Sequence, residues 1–330
     1  MIKTSNRTLI LFAVLIIVIT FGNSLKNDFA WDDKFLIINN PYIKDFSYTP
    51  KIFTSQLYEG GEMKSNFYRP LQLVSFAIDY SVWKLNPFGY HLTSLILHIA
   101  NSTLVYYITL IICSSVSIAF LAALLFGISP VISSVTFYIP ARADLLMTLF
   151  ALLSFLAFLK YAQTRKKSAY AISVISFILA LLSKEMALIL PFLLVIEIFR
   201  ARDKKVSPRP LFLYFIIFFI YIFLRVTVLN FAKGSNALID YSFPATIPLG
   251  KRILTDLNVI VSYIRLLLFP SGLHMQSFIK PANGLFEINV ILPAALILLL
   301  AVIVRKLSRY DKIFLYSLAW FFVCLTPVLN

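Results

Sequence analysis

Long apolar runs separated by short basic stretches make up most of this chain. The first run, Thr8–Leu25, follows Lys3 and Arg7. Further runs cover Gly89–Cys113, Val116–Gly127, Asp144–Leu159, Ala169–Leu182, Met186–Ile198, Leu211–Leu229, Val290–Val304 and Phe314–Val328. Runs of this length and apolarity predict an all-α polytopic membrane protein with about nine transmembrane helices. Lys160, Arg165, Lys166 and Lys167 follow one run, Arg200, Arg202, Lys204, Lys205 and Arg209 another, and Arg305, Lys306 and Arg309 a third. Such clusters mark the inner side, which places the N-terminus inside. The run Ile253–Pro270 breaks the alternation. With Arg252, Asp256 and Arg265 it reads as an interfacial or re-entrant helix within a long second outer loop, 230–286.

The polar pattern has one large interruption, Lys26–Pro87, which the same alternation puts outside. Seven of the chain's fifteen acids lie there: Asp28, Asp32, Asp33, Asp45, Glu59, Glu62 and Asp79. Seven bases accompany them: Lys26, Lys34, Lys44, Lys51, Lys64, Arg69 and Lys84. Within the loop, Thr49–Tyr58 and Tyr68–Leu85 are expected to be helical. The second reads as an amphipathic interfacial helix anchored by Tyr80 and Trp83. Asn86-Pro87-Phe88-Gly89 is a turn signal. A long loop of mixed charge in an otherwise lipid-soluble chain is where chemistry is expected.

Composition agrees with this class. The chain has 330 residues, 60% hydrophobic, with mean hydropathy +0.85, against about 45–50% apolar in soluble domains. The 31 Phe and 17 Tyr suit lipid contact and interfacial anchoring. A net charge of +15 invites a nucleic-acid reading. The excess lies mostly in loops between spans, where it sets orientation, so no nucleic-acid partner is expected. Cys113 and Cys324 both fall in apolar runs and read as packing residues.

The ionisable residues at outer loop edges are Asp32, Asp33, Arg69, His91, Arg142, Asp144, Lys184, Glu185 and Arg265. On the expected topology all face one side. A carboxylate there can accept a proton from a hydroxyl acceptor. Arg and Lys can hold a phosphate leaving group. Each has a plainer reading: a turn or helix cap for Asp32-Asp33, and ion pairs within Arg142/Asp144 and Lys184/Glu185. His91 and His98 share a helix face and read as packing or hydrogen-bonding groups. A divalent cation on Asp32-Asp33 stays open as a cofactor, two carboxylates being too few ligands to establish one.

An ordered set of short motifs resembles the transmembrane and tetratricopeptide-repeat-containing (TMTC) family of O-mannosyltransferases, within the GT-C glycosyltransferases. The motifs are Phe29-Ala30-Trp31-Asp32-Asp33, Asn39-Asn40-Pro41, Tyr68-Arg69-Pro70-Leu71, Phe88-Gly89-Tyr90-His91-Leu92 with His98, and Ala141-Arg142-Ala143-Asp144-Leu145-Leu146. Leu182-Ser183-Lys184-Glu185, Tyr263-Ile264-Arg265 through Phe269-Pro270, and Trp320 through Thr326-Pro327 complete it. The resemblance implies one GT-C domain over 1–330 and inverting transfer of mannose or another hexose. The donor would be a polyprenyl-phosphate sugar, the acceptor a hydroxyl on a protein or glycan. It implies a base at Asp32 or Asp33, with Asp33 marginally ahead; Arg69, Arg142 and Lys184 are phosphate-side candidates on the physical ground of their charge. A bacterial cytoplasmic membrane with the site outside is expected. The family's further membrane helices and repeats are expected to be missing from this chain. A transporter or flippase, or an inactive scaffold, are the competing readings. A transporter would show internal repeats and charges at mid-membrane, whereas here the charges gather at span ends.

Overall fold

The computed structural model describes residues 2–201, 207–231, 248–274, 279–282 and 284–329. Most of the expected outer segment Phe231–Gly250, and Arg202, Lys204 and Lys205 of one inner cluster, lie outside these. Among the described residues the chain is helical, without strands. It divides into two compact units, Met1–Leu190 with Phe212–Asp240, and Pro191–Leu211 with Tyr241–Asn330.

The first unit holds α1 (Ile2–Phe21), α2 (Thr49–Ile52), α3 (Pro70–Trp83), α4 (Pro87–Cys113), α5 (Val116–Ile128), α6 (Ser134–Phe137), α7 (Arg142–Thr164) and α8 (Lys167–Ser183). After α9 (Leu190–Arg200), nearly all of α10 (Leu211–Val226) also belongs to it. The 27 residues of α4 reach about 40 Å, enough to cross a bilayer. Asn86 caps α4, accepting the Phe88 N–H at 3.1 Å, and Pro87 opens the helix. α7 and α8 form an antiparallel hairpin through Arg165, which takes a left-handed backbone with φ 56°. Serine hydroxyls stitch the pair where no water competes. Ser154 donates to the Ser173 carbonyl at 2.6 Å, and the Ser173 hydroxyl lies 2.5 Å from the Tyr214 hydroxyl of α10.

Among the described residues, four helical segments are long and apolar enough to cross a membrane: Asn6–Lys26, Pro87–Cys113, Ile139–Thr164 and Ile288–Leu307. Val116–Ile128 and Pro130–Phe137, bent by 45°, add a fifth if taken as one span. Lys167–Ser183, Leu211–Val226 and Ile313–Val328 are apolar but shorter. The expected outer segment between Pro130 and Pro140 is that elbow, short helical turns broken by prolines.

The second unit contains α11 (Leu249–Leu268), α12 (Ile288–Leu307) and α13 (Ile313–Leu325), with most of α9. Lys251, Arg252, Asp256 and Arg265 keep α11 out of the set of membrane-length apolar helices. Glu197 and Arg200 of α9 pair at 2.6 Å, and Arg200 sits over the Tyr316 ring.

The loop after α1 is a folded layer with its own apolar core. Leu36, Ile37, Ile43, Ile52, Leu57 and Tyr58 pack against Leu73, Phe76 and Ala77 of α3 and Tyr90 of α4. The expected helix Thr49–Tyr58 stops at Ile52. Beyond it Gln56 binds side chain to loop: it accepts the Tyr58 N–H at 3.0 Å and the Ser65 hydroxyl at 2.6 Å. The expected helix Tyr68–Leu85 is α3. It buries Leu73, Phe76 and Ala77 against the loop and leaves Ile78 and Val82 exposed, an apolar edge that suits a lipid interface. Gly61 packs directly on the backbone of Phe35: a Cβ there would come within 2.9 Å of the Phe35 Cα and closer still to its carbonyl oxygen. Gly61→Ala is therefore expected to destabilise the loop by about 1–3 kcal/mol. Faster proteolysis between residues 40 and 65 would report it, with the helix content by circular dichroism unchanged.

Candidate functional site

The acid pair sits on a tight turn. Trp31 takes a left-handed backbone, φ 48°, which is uncommon for a bulky residue and confined to well-braced positions. The turn is closed twice: the Asp33 N–H donates to the Ala30 carbonyl at 3.0 Å, and the Asp33 Oδ2 accepts the Ala30 N–H at 2.8 Å. A short wide-turn helix, Lys34–Ile38, follows. Asn40 closes it, donating to the Leu36 carbonyl at 3.2 Å and accepting the Tyr42 N–H at 2.9 Å. Thus Asn39-Asn40-Pro41 supports the acid turn.

The two carboxylates differ sharply. Asp33 is 2% exposed. Burial pushes its carboxyl up to about 7, with Ala30 N–H opposing, Asp32 adding and Arg142 opposing. Asp32 is half-buried. Its Oδ2 accepts the Tyr58 hydroxyl at 3.0 Å and the Tyr138 hydroxyl at 2.7 Å, so two tyrosines fix its orientation. Trp31, 69% exposed, stands edge-on to Tyr138 at 6.1 Å. Neither tyrosine is distinguished by the sequence: the partners lie 26 and 106 residues from Asp32.

Asp33 gives a pH signature. Its proton is held in the folded state to about pH 7 but released near pH 4 when unfolded. The folded state therefore binds the extra proton between about pH 4 and 7, and stability falls as pH rises through that window. An asparagine side chain at this position keeps an oxygen for the Ala30 N–H and never ionises. Asp33→Asn is expected to match the parent near pH 4 and to exceed it by about 2–4 kcal/mol at pH 8. Thermal unfolding in detergent at the two pH values measures this; a difference that does not grow with pH contradicts it.

The remaining ionisable residues pair across the fold, not with their sequence neighbours. Arg142 is fully buried. It donates through Nη1 to Asp79 Oδ2 at 2.8 Å, through Nη2 to the Tyr90 carbonyl at 2.6 Å and through Nε to Ser94 at 3.1 Å. Thr93 fills the other Asp79 oxygen at 2.7 Å, and Arg142 lies over the Phe76 ring. This saturated pair joins α3, α4 and α7. Asp79, absent from the expected site, is its other half. Lys184 pairs with Asp144 at 2.6 Å, and Arg69 forms a fork on Glu185 at 2.9 and 3.4 Å. Burial raises Glu185, but Arg69 more than offsets it and holds the carboxyl below its usual range. Arg142 and Asp144 diverge because residues two apart on a helix face different sides. Lys184 and Glu185 diverge because Lys184 is extended, φ −161° and ψ 140°.

His91 Nδ1 meets the Thr136 carbonyl at 3.2 Å, tying α4 to the elbow, and His98 Nε2 meets the Gly127 carbonyl of α5 at 2.9 Å. Arg265 lies in the last turn of α11, in the second unit. Among the described residues no three His, Cys, Asp or Glu side chains converge as metal ligands.

A cavity of about 360 Å³ has Asp144, the partner of Lys184, in its wall. His98 and Asn101 of α4, Phe126 of α5, Val131 and Val135 of the elbow, and Asp144 of α7 are among its walls. The elbow also presents Tyr138 to Asp32.

The helical fold and its apolar, membrane-length segments define an all-α, multi-pass membrane protein. The family model described as dolichyl-phosphate-mannose-protein mannosyltransferase matches residues 76–228. A Caenorhabditis elegans protein O-mannosyl-transferase is 30% identical over 240 residues, 70% of this chain and 33% of that protein. Mouse protein O-mannosyl-transferase TMTC1 is 34% identical over 145 residues, 42% of this chain and 15% of that protein. Human TMTC2 is 33% identical over 152 residues, 44% and 18% respectively. Over these stretches the chain is similar to TMTC-type protein O-mannosyl-transferases. It spans a third or less of the length of these relatives. No solved structure matches it.

Proposed function

We propose that this chain is the membrane part of a glycosyltransferase that moves a hexose, mannose foremost, from a polyprenyl-phosphate donor to a hydroxyl on a protein or glycan acceptor. The matched family's description and the relatives' names support the sugar and the acceptor. The observation that carries the reading is Asp32, a reachable carboxylate aimed by two tyrosine hydroxyls on a turn that a second acid locks.

In this reading the acceptor oxygen attacks the sugar C1 from the face opposite the phosphate. Its proton passes to Asp32, the new C1–O bond forms, and the bond from C1 to the phosphate oxygen breaks. The electron pair leaves with the polyprenyl monophosphate, and the anomeric configuration inverts. Asp32 replaces Asp33 as the preferred base because a group at 2% exposure cannot touch an acceptor. Asp33 is a positioning residue. Lys184 and Arg69 are the cations left able to meet a phosphate. Arg142 and His91 are set aside, since both are buried and bonded within the protein. The loop faces outward, with the N-terminus inside, in a bacterial cytoplasmic membrane. Vesicles carrying the protein are expected to transfer label from a polyprenyl-phosphate mannose to hydroxyl-bearing peptides; label that stays on the donor with every peptide and glycan acceptor would sink the reading.

A further inference from the structure

The ion pairs of the first unit fall into two kinds. Arg142–Asp79 is closed: the side chains are 0% and 5% exposed, every nitrogen of the guanidinium is engaged, and both Asp79 oxygens have partners. Such a pair is held by its surroundings, and removing either member strands a buried charge. Lys184–Asp144 is open. A single contact of 2.6 Å joins the groups, with the lysine side chain 14% exposed and the aspartate 37%. The base is the sheltered member and the acid the outward one. Asp144 also forms part of the wall of the 360 Å³ cavity, so the carboxylate has space to leave into. Phe126, Val131, Ile132, Val135 and Leu145 give the cavity apolar wall, and His98, Asn101, Ser134 and Thr148 line it as well.

We infer that this cavity is a docking site for the prenyl-phosphate end of an amphiphilic ligand, and that Asp144 holds the place of the phosphate on Lys184. The phosphate takes the ammonium from Asp144, and the first prenyl unit lies against the apolar wall. A phosphate is the better partner because it brings more charge and more acceptor oxygens to an ammonium than one carboxylate oxygen does. Asp144 keeps the lysine aimed without satisfying it fully, and its own negative charge sets a threshold that a weakly anionic or uncharged lipid does not cross. The inference rests on the donor chemistry proposed above and adds its location and a competing residue.

The test is binding of farnesyl monophosphate to the detergent-solubilised full chain, with farnesol as the uncharged control. Asp144→Asn removes the competitor and is expected to tighten farnesyl monophosphate binding about three- to fivefold, the worth of a partly exposed pair, without affecting farnesol. Asp144→Ser serves if the Asn variant does not fold. Lys184→Met is expected to abolish the preference for the phosphate over farnesol. Val135→Phe, which fills the cavity, is expected to weaken both ligands. Unchanged or weaker phosphate binding in both Asp144 variants, with Lys184→Met still losing the preference, would overturn the place-holding role while sparing Lys184 as the phosphate group. A preference that survives Lys184→Met would overturn the inference and remove Lys184 from the proposed function as well. Unchanged binding in Val135→Phe would overturn the cavity as the prenyl site.

Discussion

Asp32→Asn is expected to lower sugar transfer about 10²–10⁴-fold, the usual contribution of a general base, while the protein stays folded. An asparagine oxygen still accepts the hydroxyls of Tyr58 and Tyr138, which hold this position at 3.0 and 2.7 Å. What it loses is the capacity to take the acceptor's proton. Tyr138→Phe removes one of the two donors that aim the carboxylate and is expected to cost about 10–100-fold, the worth of one hydrogen bond to a charged group. Asp33→Asn keeps the Ala30 bond that closes the turn, so its effect on transfer is expected to be small beside that of Asp32→Asn. The ordering, measured as initial rates in vesicles at saturating donor, separates a reacting carboxylate from a supporting one. A full loss in Asp33→Asn with activity kept in Asp32→Asn would reverse the assignment.

Arg142→Met is expected to destabilise the first unit by about 3–5 kcal/mol, the cost of leaving one half of a buried pair without the other. Asp79 would stay at the centre of three helices with only the Thr93 hydroxyl as partner. Asp79→Leu alone is expected to do comparable damage, because the guanidinium of Arg142 is fully enclosed. Joining the two, Asp79→Leu with Arg142→Met, is expected to recover most of the loss, since an apolar pair of similar volume carries no stranded charge. Thermal unfolding of the purified variants measures this; a double variant no better than the singles contradicts the pairing as the source of the effect. These variants also separate Arg142 from a substrate role, because a phosphate ligand would lie at a surface that this side chain does not reach.

The membrane class and the acidic loop were legible in the sequence for simple reasons. Apolar runs of transmembrane length stand out, and a charged stretch between the first two has nothing to hide behind. His91 and His98, seven apart on one helix face, were readable as packing or hydrogen-bonding groups, and they meet backbone carbonyls of the elbow and of α5. Pairing was not legible. Arg142 lies two residues from Asp144 and Lys184 next to Glu185, which suggested local pairs. Helical geometry and an extended backbone turn each neighbour away, so the actual partners come from 40 to 116 residues off. Asp79 was hidden inside an amphipathic pattern, where a lone acid looks like the polar face. Tyr58 and Tyr138 are two among 17 tyrosines, and nothing local marks them; only the turn at Trp31, which brings Asp32 between them, gives them a function. At the early end of the helix at Ile52, the Thr54 hydroxyl takes the carbonyls of Pro50 and Lys51, and the Gln56 side chain then binds the backbone of the next segment.

Glycan mass spectrometry of the host's envelope proteins, with the gene intact, deleted, or carrying Asp32→Asn or Asp33→Asn, tests sugar transfer through Asp32 in the cell itself. A hexose-sized mass is expected on the intact strain's proteins, lost on deletion and in Asp32→Asn and kept in Asp33→Asn. The same mass persisting in the Asp32→Asn strain would show that Asp32 is not the base.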